Sequence, residues 1–207
     1  MASPISHSLA GISIYVWCVH RHRPNSAWNS RRTWIEVAAF VLLANLPDFD
    51  FLAGWLLRGD ANVWHHKVSH SVFVAIGVSL LLALIWPLVG SVRNSLRVFL
   101  FVIGSHLFID FFTGPQLGLH PTFGIPLLMP ISETSFRSPL TLLVGPRHDN
   151  LERLISMRTF FWLAYEFFVC GPIAALIYFG AAKSATRVNA ATLRPHISPS
   201  PLPTKSE

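Results

Sequence analysis

Residues 98–113 read VFLFVIGSHLFIDFFT, a run apolar enough for a lipid bilayer that nevertheless carries an imidazole and a carboxylate. On insertion scales an ionisable side chain at the centre of a membrane helix costs ~2.5–3.5 kcal/mol, so such a residue is by default a pointer to function. His106 and Asp110 stand four residues apart and therefore share one helical face. Both can reach a single ion, or the carboxylate can orient the imidazole from behind.

Four more apolar stretches flank this one, at 5–19, 34–57, 71–91 and 159–182. A membrane helix needs about 20 apolar residues; three stretches meet that length, while 5–19 and 98–113 fall short. The whole is 52% hydrophobic and only 13% charged, with a mean hydropathy of +0.47, against about 25% charged residues in soluble domains. These features predict an all-α integral membrane bundle of about four to five spanning or partly spanning helices with a long outer loop. Pro47 is expected to break the second stretch near Asn45–Asp50, and such a break needs protein or a wet cavity beside it.

Net charge is +6, but the basic residues fall between apolar stretches and not on one amphipathic face, so nucleic-acid binding is not expected. Arg21, Arg23, Arg31, Arg32, Arg93, Arg97, Lys183, Arg187, Arg194 and Lys205 fit one side, which the positive-inside rule makes cytoplasmic. Arg58, Lys67, Arg137, Arg147, Arg153 and Arg158 fall on the other. The start of the chain lacks the basic residues that precede a cleavable signal and reads as retained. Cys18 and Cys170 sit in apolar runs with no paired spacing, so they read as packing residues. Residues 1–183 are expected to form the membrane domain, and the polar, proline-rich 184–207 a disordered tail.

On that map the metal-capable groups gather at the outer face. His7 opens the first stretch. Asp48 and Asp50 follow Pro47, and either cap a helix or point an acid inward. His65, His66 and His70 crowd the connection before the third stretch; His66 and His70 would share a helical face, whereas His65 and His70 need a bend. Nitrogen and oxygen ligands without thiolate suit zinc, manganese or iron(II). Six candidates exceed one tetrahedral zinc, so one or two ions are expected, a pair being able to clamp attacking and leaving oxygens. The connection Gly114–Met157 reads either as a lid, with Arg137 as an anion contact and Glu133 or His148 joining the site, or as an interfacial loop anchored by Phe123, Leu127 and Met129.

The ordered pieces His7, PDFD at 47–50, HHKVSHS at 65–71, SHLFID at 105–110 and GIPLLMP at 124–130 resemble a bacterial family of inner-membrane, metal-dependent hydrolases, some of them DNA-damage regulated. The similarity covers roughly residues 3–145. It implies a multi-pass inner-membrane protein whose metal ligands are His7, Asp48, His65, His70, His106 and Asp110, with the site toward the non-cytoplasmic face. His66 stands where the family usually has Arg, and Lys67 where it has Gly; His66 is thereby a substitute ligand or catalytic candidate. Asp50 is expected to orient a ligand or act as general base. The order of ligands is also similar to zinc-dependent phospholipases C, although their HxxxE element is missing. The expected activity is hydrolysis of an ester or phosphoester at the lipid headgroup layer, with the bilayer and its lipids as partners. The rival reading is a transporter passing metal ions or protons through the same groups.

Overall fold

The structure, a computed structural model, describes residues 2–22, 28, 30–60, 63–65, 67–85, 95–146 and 155–192, and among these residues every long element is helical. Helix α1, Pro4–Cys18, begins where the Ser3 hydroxyl accepts the Ile5 N–H and Pro4 fills the first turn. Helix α2, Arg31–Ala44, starts the same way at Ser30, whose hydroxyl accepts the Thr33 N–H. It is followed by a single turn at Leu46–Asp48 and by α3, Phe49–Arg58, which ends on left-handed Gly59. The two halves are bent by 58°. Pro47 has no N–H to continue the helix, and the backbone breaks where the sequence places it.

Helices α4 (Val72–Ile85), α5 (Ser95–Phe111) and α6 (Met157–Thr192) complete the set. Helix α1 is the hub: it packs on α2, α5 and α6, while α4 leans on α5. Two apolar clusters result. Tyr15, Val16, Phe40, Ala44, Val98 and Val102 fill the first, where α1, α2 and α5 meet; Ala75, Ile103, Leu107 and Ile125 fill the second, under the loop that follows α5. That loop is pinned by paired backbone bonds, Gly118 with Thr141 and Ile125 with Phe136, and by the Val72 N–H donating to Leu127.

The expected apolar stretches carry helices where they are described, and among the described residues one of these, or two with the bent pair, qualifies as a span by length and apolarity. Among the described residues Met157–Lys183 alone is a single helix long and apolar enough to cross a bilayer, and only 6% of its most apolar window is buried in protein. An apolar helix so bare of protein contacts suits lipid contact. The bent α2–α3 pair qualifies if taken as one broken span. Helix α1, with 15 residues, reaches only about 22 Å, less than a ~30 Å hydrocarbon core. Residues 86–94 of the third stretch lie outside the described residues. Helix α6 runs on to Thr192, past the tail boundary expected at Ser184, because that extension is rich in alanine and free of proline; residues 193–207 lie outside the described residues.

At Gly11 a Cβ would stand 2.7 Å from the Phe40 carbonyl and 3.0 Å from the Ala44 Cβ, so α1 and α2 touch backbone to backbone. Gly11→Val is expected to cost about 1–3 kcal/mol through overpacking, read as a lower midpoint of thermal unfolding in detergent. Gly77→Ala in α4, where nothing lies within 4 Å, should leave that midpoint unchanged or raise it. An unchanged midpoint for Gly11→Val would show that the two helices do not pack this closely.

Candidate metal centre

Four side chains from three parts of the chain meet between the two clusters. The ligand atoms of Asp48, His70, His106 and Asp110 all lie within 4.8 Å of one another. The His106 Nε2 is 3.2 Å from the His70 Nε2 and 3.4 Å from both Asp48 Oδ1 and Asp110 Oδ2. The His70 Nε2 is 3.4 Å from Asp48 Oδ1 and 3.3 Å from Asp110 Oδ2. Ligands about 2.0–2.1 Å from a central zinc at tetrahedral corners stand about 3.3–3.4 Å apart. Five of the six edges of such a tetrahedron are therefore met.

The contacts behind each ring fix which nitrogen faces inward. Helix α2 ends at Ala44, and the chain break leaves its carbonyl for a side chain to satisfy. The His106 Nδ1–H donates to that carbonyl at 2.8 Å. The carbonyl can only accept, so the Nδ1 carries a proton, and whenever the ring is neutral the Nε2 turns its lone pair to the centre. Ser69 does the same for His70: its hydroxyl donates to Asp50 Oδ2, so its oxygen accepts from the His70 Nδ1–H at 2.9 Å. Asp50 also receives the His65 Nδ1–H at 2.8 Å.

Burial suits a cation better than an empty polar cluster. His70 and His106 are 0% exposed and Asp110 2%. Neither oxygen of Asp48 receives a hydrogen bond. An uncompensated buried carboxylate costs several kcal/mol, and a divalent ion at the centre would remove that cost. Burial opposes a charge on His70, but Asp110, Asp48 and Asp50 around it outweigh this and raise its pKa well above the ordinary imidazole value. A cation at the centre would compete with that proton.

The expected ligands separate into distinct places. Asp48, His70, His106 and Asp110 form the centre. His7 lies against it, stacked on the His106 ring at 3.8 Å and with its Nε2 3.5 Å from Asp110 Oδ1. His65 is not one of the four converging groups; its Nδ1 faces Asp50 because the short turn at Val68–His70 carries His70 inward and leaves His65 one layer behind. Asp50 accordingly acts on His65, Ser69 and His70. His66 and His148 lie outside the described residues, while Glu133 and Arg137 are exposed.

One buried acid found no role in the sequence reading. Glu166 of α6 is 0% exposed, and its Oε2 accepts the Ser3 N–H at 2.9 Å and the hydroxyls of Ser3 and Ser6 at 2.6 and 2.5 Å. One residue earlier, the Ala2 N–H donates to Asp110 Oδ1 at 2.7 Å. The Ala2–Ser3 segment thus ties the metal centre to α6. The lone Glu within the fifth apolar stretch was the available signal, but its partners lie some 160 residues away.

A family model described as YdjM inner membrane protein matches residues 1–187. No curated protein and no solved structure matches.

Zinc titration of purified protein against a chromophoric competitor checks the centre: His106→Ala should abolish tight binding, and Asp50→Ala should weaken it about 10–100-fold by freeing His70. Equal affinity in wild type and Asp50→Ala would show that Asp50 does not hold the ring. Glu166→Ala should lower thermal stability by about 1–3 kcal/mol, since buried donors lose their acceptor, and Glu166→Gln by less. Equal losses for both variants would show that the hydrogen bonds at Glu166 are not what holds α1 to α6.

Proposed function

The chain belongs to the YdjM inner membrane protein family, and from that membership and the four-atom centre we propose that it is a membrane-bound, metal-dependent hydrolase. Its substrate is an ester, foremost a phosphoester, at the lipid headgroup layer. The observation that carries the reading is the set of nearly equal separations among His70, His106, Asp48 and Asp110.

The mixed imidazole and carboxylate donors suit zinc first, then manganese or iron(II). When bound, such an ion supplies a water that ionises near neutral pH and polarises an ester oxygen. His70 and His106 hold the cation through Nε2, and Asp48 and Asp110 contribute the negative charge. Asp50 with Ser69 positions His70, and the Ala44 carbonyl positions His106. The Asp48 and Asp50 side chains are each 10% exposed while those of His70, His106 and Asp110 are fully covered, which supports access past Asp48 and Asp50.

Helix α3 also exposes Trp55, Leu56 and Leu57, each 59–71%, and such an apolar helix surface supports a substrate with a hydrocarbon part. The distribution of basic residues supports a multi-pass arrangement with the site toward the non-cytoplasmic face.

Protein reconstituted in vesicles with zinc, offered a panel of lipid phosphoesters, should release product, and His106→Ala and Asp110→Ala should lose at least about 100-fold in rate. Zinc uptake into the vesicles without hydrolysis of any substrate would favour a transporter in its place.

A further inference from the structure

We propose a second divalent-cation site beside the first, built by His7 with the outer oxygens of Asp48 and Asp110, so that the two aspartates bridge a pair of ions. The proposal rests on the metal reading of the four-atom centre and adds to it a second ion, its ligands and its role.

Each aspartate presents its two oxygens to two different places. Asp48 Oδ1 faces His70 and His106 at 3.4 Å, and its Oδ2 faces the His7 Nε2 at 3.9 Å. Asp110 Oδ2 faces His70 and His106 at 3.3 and 3.4 Å, and its Oδ1 faces the His7 Nε2 at 3.5 Å. A carboxylate that splits its oxygens in this way can bridge ions about 3.5–4 Å apart, the spacing of two-metal hydrolytic sites. The Ala2 N–H at Asp110 Oδ1 holds that oxygen in place.

His7 itself is the independent observation. It is 0% exposed, and neither of its ring nitrogens makes a hydrogen bond. A buried imidazole that makes no hydrogen bond costs about 1–3 kcal/mol for the stranded group, and the stacked His106 ring at 3.8 Å supplies no donor or acceptor to it. A cation between His7, Asp48 and Asp110 would take up the Nε2 lone pair.

The two places differ in openness. The first has four protein ligands, so an ion there would take a water only by expanding to five-coordinate. The second has three, which leaves positions for water and for an oxygen of the substrate, as in catalytic zinc sites. A phosphoester fits this pair of ions, since its oxygens can lie across both.

Purified protein stripped of metal and dialysed against zinc, followed by elemental analysis, should hold about two equivalents per chain, and His7→Ala about one. Loaded with manganese, the wild type should give the electron paramagnetic resonance signal of an exchange-coupled pair, a readout that needs no variant, and His7→Ala the signal of an isolated ion. One equivalent and an uncoupled spectrum in the wild type would overturn the second site while leaving the first standing. Two equivalents in folded His7→Ala would also overturn it. No bound ion at all would overturn both.

Discussion

Four atoms that carry lone pairs are aimed at one point inside the protein, and most of the surrounding structure serves to hold them there. Imidazole nitrogens and carboxylate oxygens facing each other at 3.2–3.4 Å repel when the rings are neutral, and the low dielectric of a buried site strengthens that repulsion. Three of the four corners are secured by a group that cannot easily leave, while neither oxygen of Asp48 receives a hydrogen bond. The Ala44 carbonyl holds His106, Ser69 and Asp50 hold His70, and the Ala2 N–H holds Asp110. Such backing is costly to build for an ordinary core and sensible for one that binds a cation.

The backbone break at Pro47 links fold to chemistry. It ends α2 at Ala44, which frees the carbonyl that orients His106, and it places Asp48 at the centre and Asp50 one turn later against His65 and Ser69. An unbroken helix would satisfy the Ala44 carbonyl internally and carry Asp48 elsewhere. Helix α1 closes the arrangement from the opposite side, pressed on α2 at Gly11 and tied to α6 through Ser3, Ser6 and Glu166. In lipid, where apolar contact gives helices little preference for one another, polar bonds and close backbone approach set their register. Glu166 and Gly11 supply one of each.

Part of this was legible in the sequence. The spacing of His106 and Asp110 on one helical face, and the break before Asp48, follow from helix geometry and from the missing proline N–H, both local rules. The partners of His7 were not legible by spacing, because a lone histidine before an apolar run says nothing about a partner a hundred residues on; its place at the outer end of the first stretch and the resemblance put it among the candidates. His65 was grouped with the ligands, yet the turn at Val68–His70 decides which histidine points inward, and a tight turn of that kind has no periodic pattern to read. The contacts of Ala2 and Ala44 are made by backbone atoms, for which residue identity carries no signal. Apolar length alone does not tell a crossing helix from one such as the 15-residue α1, which can bury its apolar side chains against neighbouring helices.

On the hydrolase reading, the position of the centre settles a conflict between two needs. Excluding water strengthens every electrostatic interaction at the reacting atoms, and the covered His70, His106 and Asp110 meet that need. A substrate must still reach the ion, and complete burial would forbid it. Asp48 is the compromise, a ligand on the break between two helices with a tenth of its side chain exposed. The exposed Trp55, Leu56 and Leu57 of α3 are a poor match for bulk water and a good one for acyl chains. A lipid lying along α3 would keep its hydrocarbon in the membrane while its polar group turns at Asp48, so the membrane supplies part of the orientation that a soluble enzyme would need a deep pocket to impose.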